Sequence, residues 1–364
     1  MLDRRIARRD FLKGTIAAGA TVSLGGFLAA CSSPASTAGA GASAAAGGKD
    51  LIVRFDAGSF RDYLDAAVTK PFIAKYGATV TYDSATEPDG LAKAIAAKGH
   101  RIDDVQELDS KDIAKAISAG VADTLDKSVV TNWADIDPHF RNDSWASIIT
   151  YYFGIVYNKD KIPEGMTSWF DLWNPKYQGK VGFPSFDWEG FQWLLIINHV
   201  LGGTEAEFSK GIAKIAAYYK GQKPVTVTGS DNGVQLFTSG DVWASPFFDG
   251  RARQLEKAGV NVAYVFPKEG AAALGEGLGL MANANKLLAE QYINFALDPA
   301  NQIAFARQSN YSPTNLKALA SLPSDMQNLI VPQDALNNLL KIDDATGYDH
   351  IADAQKAWNE QVLG

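Results

Sequence analysis

The chain has 364 residues, of which 46% are hydrophobic and 21% charged, and its formal net charge at pH 7 is −7. This length and composition are sufficient for a globular body with two lobes and a sizeable hydrophobic core. The acidic balance, with no basic cluster in the body, argues against a nucleic-acid-binding protein and favours cationic or neutral small partners.

Residues 1–30 have the features of an export signal rather than of a folded element. Residues 8–13 spell a twin-arginine motif, and an apolar run at 15–30, rich in small residues, is too short to remain as a membrane span. Residues 28–31 resemble the lipobox at which a bacterial lipoprotein is cleaved and acylated. The single cysteine of the chain, Cys31, lies there, so no disulfide can form within the chain. We therefore predict a twin-arginine lipoprotein signal at 1–30 and lipid attachment at Cys31.

Residues 31–48 are predicted to be a flexible tether. After the cysteine they consist almost entirely of serine, alanine, glycine, threonine and proline, without apolar periodicity. A segment of this composition buries too little surface to offset the entropy lost on ordering. The folded body is expected to begin near Lys49 and to be held close to a bacterial membrane, in the periplasm or at the cell surface.

Strands and helices alternate at the start of the folded body. The pattern predicts strands at 51–55, 78–82 and near Val105, and helices at 60–76 and 91–98. Such alternation is typical of a parallel or mixed α/β sheet. Ligands of these sheets bind where strands end and helices begin. The loop after the first strand therefore supplies candidate site residues, namely Ser59, Phe60, Asp62 and Tyr63.

A strand at 151–158, with a hinge at Gly154, is predicted to cross into a second lobe. The stretch 167–193 follows and holds four of the eight tryptophans, and its first half fits a short buried helix. Asp187 and Glu189 then lie among aromatic residues just before a helical pattern at 190–200. An acid in that place either caps the helix or, beside aromatic faces, receives a cation.

The remaining pattern continues the alternation and returns once to the first lobe, near residues 274–277. Strands are predicted at 225–228 and 242–246, and helices at 205–220, from Ser230 or Asp231, at 287–297, 299–307, 334–340 and 350–362. The last two helices are interpreted as packing elements.

Several motifs of the body resemble those of one protein family. They include SW-DLW-P-Y-GKV at 168–181, FPKEG at 266–270 and NYSPTN at 310–315. With these motifs, the chain from about Leu51 onward is similar to the periplasmic solute-binding proteins of ABC importers, specifically the spermidine/putrescine-binding branch. The resemblance implies an α/β, two-lobe periplasmic-binding-protein fold of type II, with a hinge and a ligand cleft between the lobes. It places residues 49–154 and 276–316 in lobe 1, and residues 155–275 and 317–364 in lobe 2.

The resemblance also implies positions around a ligand. Phe60 and Tyr63 have the spacing of an aromatic pair that stacks on the methylene chain in the polyamine-binding relatives. Phe248 and Tyr311 fall where the family has a tryptophan and a tyrosine, and Glu276 falls where these relatives have an aspartate that pairs with an ammonium. The predicted ligand-binding residues are Ser59, Phe60, Tyr63, Asp187, Glu189, Phe248, Arg251, Glu276 and Tyr311.

Three features leave the identity of the ligand open. The chain departs from the relatives at residues 108–111, where they place tyrosines, and at Leu274, where they have a tryptophan. Arg251 follows a glycine at a helix start, where backbone N–H groups favour anions. It either binds the carboxylate of an amino-carboxylate, such as a γ-amino acid or an opine, or forms a surface or interlobe salt bridge. The tyrosine pairs 151–152 and 218–219 invite comparison with ferric-ion-binding relatives, although neither pair is expected in the cleft.

We therefore predict the substrate-binding component of an ABC importer, which captures a polyamine such as putrescine or spermidine and delivers it to the membrane permease. The protein is expected to be a monomer without a cofactor, a metal or a nucleic-acid partner. Enzymatic activity is not expected, because the four histidines lack metal-ligand spacing and the chain lacks a nucleophile elbow, a phosphate loop and a Cys–His pair. A glycosidase that uses Asp187 and Glu189 is the enzymatic alternative suggested by the many aromatic residues.

Overall fold

The computed structural model describes residues 48–364, except for the side chains of residues 344 and 345. The predicted signal, the lipid-attachment residue Cys31 and nearly all of the tether lie outside the described residues. The strands are β1 (Asp50–Arg54), β2 (Thr79–Asp83), β3 (Val105–Asp109), β4 (Trp145–Asn158), β5 (Gly182–Pro184), β6 (Val225–Val227), β7 (Ala244–Phe248), β8 (Val262–Val265), β9 (Ala272–Leu280) and β10 (Ser312–Pro313).

The helices alternate with these strands over most of the described chain. They are α1 (Ser59–Leu64), α2 (Lys70–Tyr76), α3 (Glu87–Ala96), α4 (Ser110–Ala119), α5 (Phe191–Val200), α6 (Ser209–Gln222), α7 (Ser230–Ser239), α8 (Asp249–Lys257), α9 (Lys286–Ala296), α10 (Pro299–Ser309), α11 (Leu316–Ala320), α12 (Gln333–Asn337), α13 (Asp344–Asp349) and α14 (Ile351–Trp358). A π-helical turn at Asp65–Thr69 joins α1 to α2, so the helix predicted at 60–76 is present. Within residues 48–364, no helix is both long enough and apolar enough to cross a membrane.

The first sheet region is built on β1, which pairs in parallel with β2 and β3. Antiparallel pairing then leads from β3 to β9 and from β9 to the first half of β4. The apolar side chains of β1 are buried, including Leu51, Val53 and the following Phe55. The mixed α/β sheet predicted from the sequence is therefore correct, and the carboxyl ends of β1 and β3 lie at the same edge of it.

The long strand β4 joins this region to a second sheet region. Its residues up to Phe153 pair with β9, whereas the residues from Phe153 onward pair with β7 and β8. The parallel pair of β5 and β6 extends the second region through a bridge between Val181 and Ala244. Gly154, the predicted hinge, lies just where the pairing of β4 changes partners.

The tryptophan-rich stretch forms the core beneath this second region. Ser168 caps a 3₁₀ turn at Trp169–Trp173 through a capping box with Asp171. Trp169 and Trp193 are fully buried, with ring centroids 5.0 Å apart. The predicted short helix is therefore a core element that fixes the chain before it reaches Asp187 and Glu189.

A π-helical turn at Phe186–Gly190 leads directly into α5, so the predicted helix begins one turn earlier than expected. A Cβ on Gly190 would lie 2.6 Å from the carbonyl oxygen of Ser185. Only glycine fits this close approach without a backbone shift. The tight turn holds Glu189, which is buried, at the edge of the second sheet region.

The last third of the chain packs on both regions. Leu322, Met326 and Leu329 form a small core with Ala306 of α10, and α10 contacts the π-helical turn at Asp65–Thr69. Residues 317–332, which we predicted in lobe 2, thus have contacts with a helix predicted in lobe 1, and the lobe boundaries stay a prediction. Further on, α13 packs on α4, and α14 packs on α5 and α6.

Candidate ligand-binding cleft

A cleft of about 930 Å³ opens between the two sheet regions, a volume within the range of small-molecule sites. Most of the residues predicted for the ligand site lie in its wall. They are Ser59, Phe60, Asp187, Glu189, Phe248, Arg251, Glu276 and Tyr311. Tyr63 does not share this wall and instead packs against the main hydrophobic core. It lies one helical turn beyond Phe60, which moves it away from the end of β1.

Aromatic rings form one side of the cleft. Phe248 contacts Tyr151 edge-on at 5.0 Å between ring centroids and Trp188 at 5.8 Å. Tyr311 continues this surface, at 5.8 Å from Tyr151 and 6.1 Å from Phe60. Such a surface can enclose an alkyl chain and can also attract a cation to a ring face.

An inner acidic group lies at the carboxyl ends of β1 and β3. Asp56, Glu107 and Glu276 all line the cleft, and Glu107 Oε2 accepts a hydrogen bond from the backbone N–H of Asp56 at 2.8 Å. Arg54, fully buried beneath them, donates from Nη1 to the carbonyl oxygen of Glu107 at 2.7 Å and pairs with Asp56. Its Nη1 also lies 3.4 Å from Glu107 Oε2, so one guanidinium contacts two of the three carboxyl groups.

Burial and mutual repulsion raise the proton affinity of this inner group. Burial raises the pKa of Glu107 to about 8, with Arg54 opposing and Asp56 adding to the shift. Burial, followed by the charges of Glu107 and Asp109, holds the pKa of Glu276 well above its usual value. Glu276 Oε1 is buried and accepts no hydrogen bond from any residue of the described range 48–364. A buried acceptor in this state is costly unless a cation or a donor arrives.

An outer acidic group lies beside the start of α4. Asp109 caps this helix by accepting from the backbone N–H groups of Lys111 and Asp112, both at 2.9 Å. Its other oxygen is 2.6 Å from Lys111 Nζ. Burial raises the pKa of Asp109 to about 7 in spite of this lysine. Glu87, whose pKa is held well above its usual value by burial and by Asp109 and Glu276, approaches from α3.

A metal interpretation of the outer group has limited support in the geometry. Carboxylate oxygens of Glu87, Asp109 and Asp112 lie within 4.8 Å of one another, which would suit a cation that prefers oxygen ligands. However, Asp109 already accepts hydrogen bonds at both oxygens, and one of the donors is the Lys111 ammonium. This group therefore contains its own positive charge.

One expectation about the tyrosine pairs is wrong. Tyr151 lines the cleft, although neither tyrosine pair was expected there. Successive residues of a strand face opposite sides, so Tyr151 points into the cleft while Tyr152 packs against Phe266, at 5.5 Å between ring centroids. Tyr218 lies in the core, 4.6 Å from the ring of Phe183.

Arg251 lies at the mouth of the cleft and is already engaged there. Its Nη1 donates to Gln254 at 2.8 Å and lies 3.3 Å from a carboxylate oxygen of Asp231. The same oxygen of Asp231 accepts from Ser59 Oγ at 3.0 Å. Both residues of this salt bridge lie in the predicted lobe 2, at the starts of α8 and α7, and Asp231 is half exposed, so the bridge fits the surface form of the predicted role rather than the interlobe form. The link to the start of α1 consists of hydrogen bonds to Ser59 Oγ, which donates to Asp231 and accepts from Arg251 Nη1 at 3.5 Å.

The sequence interpretation missed the acids of β3 and the lysine that follows them. Glu107 and Asp109 are two residues apart and therefore share one face of the strand. They stand at the carboxyl end of a strand that runs parallel to β1, which is where ligands of α/β sheets bind. This spacing is the signal that would have indicated them. Lys111 and Tyr348 carry no comparable local signal.

Comparison with known proteins agrees with this geometry. The family model for bacterial extracellular solute-binding proteins matches residues 67–332. The model for twin-arginine translocation signal sequences matches residues 5–25, which confirms the predicted export signal. Export by this route, together with the family, places the protein in the periplasm.

Two curated relatives cover most of the chain. The gamma-aminobutyric acid-binding protein of Pseudomonas aeruginosa is 25% identical over 331 residues, which are 87% of this chain and 92% of that protein. The spermidine/putrescine-binding periplasmic protein of Escherichia coli is 27% identical over 283 residues, which are 74% of this chain and 80% of that protein.

A solved structure confirms the two-lobe fold. The binding protein MotA of A. tumefaciens B6, in complex with glucopine, superposes with a TM-score of 0.72 at 20% sequence identity. The match covers 85% of this chain and 99% of that chain. The chain thus belongs to the bacterial extracellular solute-binding proteins, which serve ABC importers by binding a solute and are not enzymes.

Proposed function

We propose that the cleft captures a small cationic amine and presents it to the permease of the importer. The observation that carries this proposal is the buried Glu276 oxygen without a hydrogen-bond donor, within the inner acidic group of Asp56, Glu107 and Glu276. An ammonium offers three N–H donors and a positive charge. It would supply the donor that Glu276 lacks and relieve the repulsion among the three carboxylates.

The aromatic side of the cleft accounts for the organic part of the ligand. Tyr151, Phe248 and Tyr311 are nearly fully buried and stand beside the inner acidic group. A cation over an aromatic face gains about 0.5 to 2 kcal/mol when desolvated, and the alkyl chain gains by contact with the rings. Because the rings and acids come from both sheet regions, a bound amine would hold the lobes together and favour the closed form.

Two kinds of amine fit this inner end. The first is a polyamine such as putrescine or spermidine, which is favoured by the name of the E. coli relative. The second is an amino-carboxylate such as a γ-amino acid or an opine, which is favoured by the name of the P. aeruginosa relative and by its coverage of 87% of the chain. Both present one ammonium to Glu276 and differ at the opposite end of the ligand.

Isothermal titration calorimetry tests the proposal with a panel of putrescine, spermidine, 4-aminobutanoate, glucose and ferric citrate. We expect binding of at least one amine and no binding of glucose. Heat from glucose alone would contradict the proposal. Heat from the iron salt alone, together with a visible charge-transfer band, would instead favour a ferric-ion site that includes Tyr151.

Amine binding should become tighter as pH rises from 6 to 8. The pKa of Glu107 is raised to about 8 and that of Asp109 to about 7, so below these values the free cleft holds protons that an ammonium must displace. The association constant should therefore rise by up to about tenfold per pH unit for each proton released. Calorimetric titrations at pH 7 in two buffers with different ionisation enthalpies measure how many protons are released when the amine binds. Proton uptake on binding, or an affinity independent of pH, would show that these carboxyls do not receive the ammonium.

We also propose that the mature protein is a monomer anchored by a lipid on Cys31. The lipobox-like sequence at residues 28–31 and the tether that follows support this proposal. Partition of the wild-type protein into a detergent phase, and of Cys31→Ser into the aqueous phase, is the expected result.

A further inference from the structure

Lys111 places a positive charge inside the acidic cleft. Its Nζ lies 2.6 Å from Asp109 Oδ2 and 5.5 Å from the ring centroid of Tyr348. The side chain is only 8% exposed, whereas lysine is among the residues least often buried in proteins. The ammonium is therefore enclosed by groups of the cleft instead of being solvated.

The groups around Lys111 belong to both lobes. Asp109 ends β3 in the first sheet region, Glu189 lies in the turn before α5, and Tyr348 comes from α13. Burial alone would lower the pKa of Lys111, but the charges of Asp109 and Glu189 outweigh burial and hold this pKa well above its usual value. Lys111 therefore remains an ammonium, and it brings a countercharge to an acid from each lobe.

A diamine with its first ammonium at Glu276 would carry its second ammonium toward another acid. The nearest such acid along the sheet is Asp109, which is paired with Glu276 in the register of β3 and β9, and Tyr151 lines the same part of the cleft on this path. At the outer end of this path the countercharge for Asp109 and Glu189 is already present in Lys111. A second ligand ammonium there would meet a like charge in a partly desolvated site, where such repulsion is strong.

We propose that Lys111 acts as a tethered ammonium that fills the outer cation position, so that the cleft selects a ligand with one ammonium and rejects α,ω-diamines. An ω-amino acid fits both ends best. Its ammonium lies at Glu276, and its carboxylate accepts from the N–H groups of Lys111 that Asp109 does not use. The inference rests on the proposed amine function for the inner end and concerns only the opposite end of the ligand.

Three ligands of equal chain length test the selection, namely 1,4-diaminobutane, 4-aminobutanoate and 4-aminobutan-1-ol. For the wild-type protein we expect 4-aminobutanoate to bind at least ten times more tightly than the diamine. Lys111→Met should lower or invert the ratio of the affinity for 4-aminobutanoate to that for 1,4-diaminobutane. The diamine gains a vacant cation position in this variant, and the carboxylate of the amino acid loses its partner. Lys111→Arg keeps the charge and should continue to reject the diamine.

The ratio of two affinities on one protein sample remains informative even if a variant is less stable, and circular dichroism reports whether it is folded. Lys93→Met is the matched control. It removes an exposed lysine that pairs with Asp83 outside the cleft wall, and it should leave the ratio unchanged. A wild-type protein that binds the diamine as tightly as the amino acid, or an unchanged ratio in Lys111→Met, would overturn the inference alone. Absence of binding by all three amines would overturn the proposed function as well.

Discussion

Glu276→Gln should weaken amine binding by about 2 to 3 kcal/mol, which is roughly 30- to 150-fold in the dissociation constant. The variant keeps the shape of the side chain but replaces a buried acceptor charge in the inner acidic group with a neutral amide. The ammonium then loses its charged partner, while Asp56 and Glu107 remain to hold part of the affinity. Calorimetry with the tightest amine of the panel measures this loss.

The same substitution should stabilise the protein without ligand. Burial and neighbouring charges raise the pKa of Glu276 in the folded protein above its value of 4.5 in a flexible chain. For an acid, this sign means that the folded state loses stability as pH rises above 4.5, because ionisation is harder in the folded state. Glutamine removes that loss. We therefore expect a gain on the order of 1 kcal/mol in the free energy of unfolding at pH 8 and a smaller gain at pH 5.

Arg251→Ala provides the contrasting variant. Arg251 pairs with Asp231 at the mouth of the cleft and donates to Ser59 of the first lobe at 3.5 Å. Its loss should therefore remove one weak contact between the lobes and change amine affinity much less than Glu276→Gln does. If Arg251→Ala abolished binding while Glu276→Gln bound normally, the anchor of the ligand would be a carboxylate on Arg251. If Glu276 had only a structural role, Glu276→Gln would lower both amine affinity and stability. We expect instead that it lowers affinity and raises stability.

The order of elements could be predicted from sequence because hydrophobic periodicity and local start and stop signals determine it. The helix at 60–76 and the alternation around it are examples, since each is recognisable within about twenty residues. By contrast, α4 and β8 were not predicted. The strand β3 before α4 has the sequence VQELD, and all five of its residues are buried, including two acids. A pattern that counts apolar residues does not identify a strand of this kind.

The candidate site likewise contains residues that local sequence indicates and residues that only the packing reveals. Motifs and turns were sufficient to place four residues that share one cleft, namely Glu189, Glu276, Phe248 and Tyr311. Their roles as ligand contacts stay a prediction. Lys111 could not be placed in this way. Its burial depends on α13, more than 200 residues later in the chain, which brings Tyr348 over the start of α4. Only the packed structure brings such distant segments together. It also places the positive charge of Lys111 near Glu189.

Gly277→Ala should cost about 3 kcal/mol of folding free energy and should also disturb the site. A Cβ at Gly277 would lie 2.4 Å from the carbonyl oxygen of Ala146 and 2.6 Å from the Cα of Ser147. Both are backbone atoms of β4, so the added methyl group cannot be accommodated by a side-chain rotation. Overpacking of this kind forces backbone shifts that typically cost 1–3 kcal/mol and occasionally more. Chemical denaturation measures the cost.

The shift would reach the inner acidic group because the irregularity of β4 between Ser147 and Ile149 lies opposite this part of β9. Glu276 precedes Gly277 and is in register with Asp109 on β3, so separation of β4 from β9 would displace its carboxylate. Gly279→Ala is the matched control on the same strand. Its Cβ would closely approach the ends of the Leu108 and Ile113 side chains, at 3.0 and 3.3 Å, and these can move. The nearest backbone atom, the carbonyl oxygen of Gln106, is at an ordinary contact distance of 3.8 Å. Equal losses of stability and of amine affinity in the two variants would contradict the prediction that the close approach of β4 and β9 at Gly277 positions Glu276.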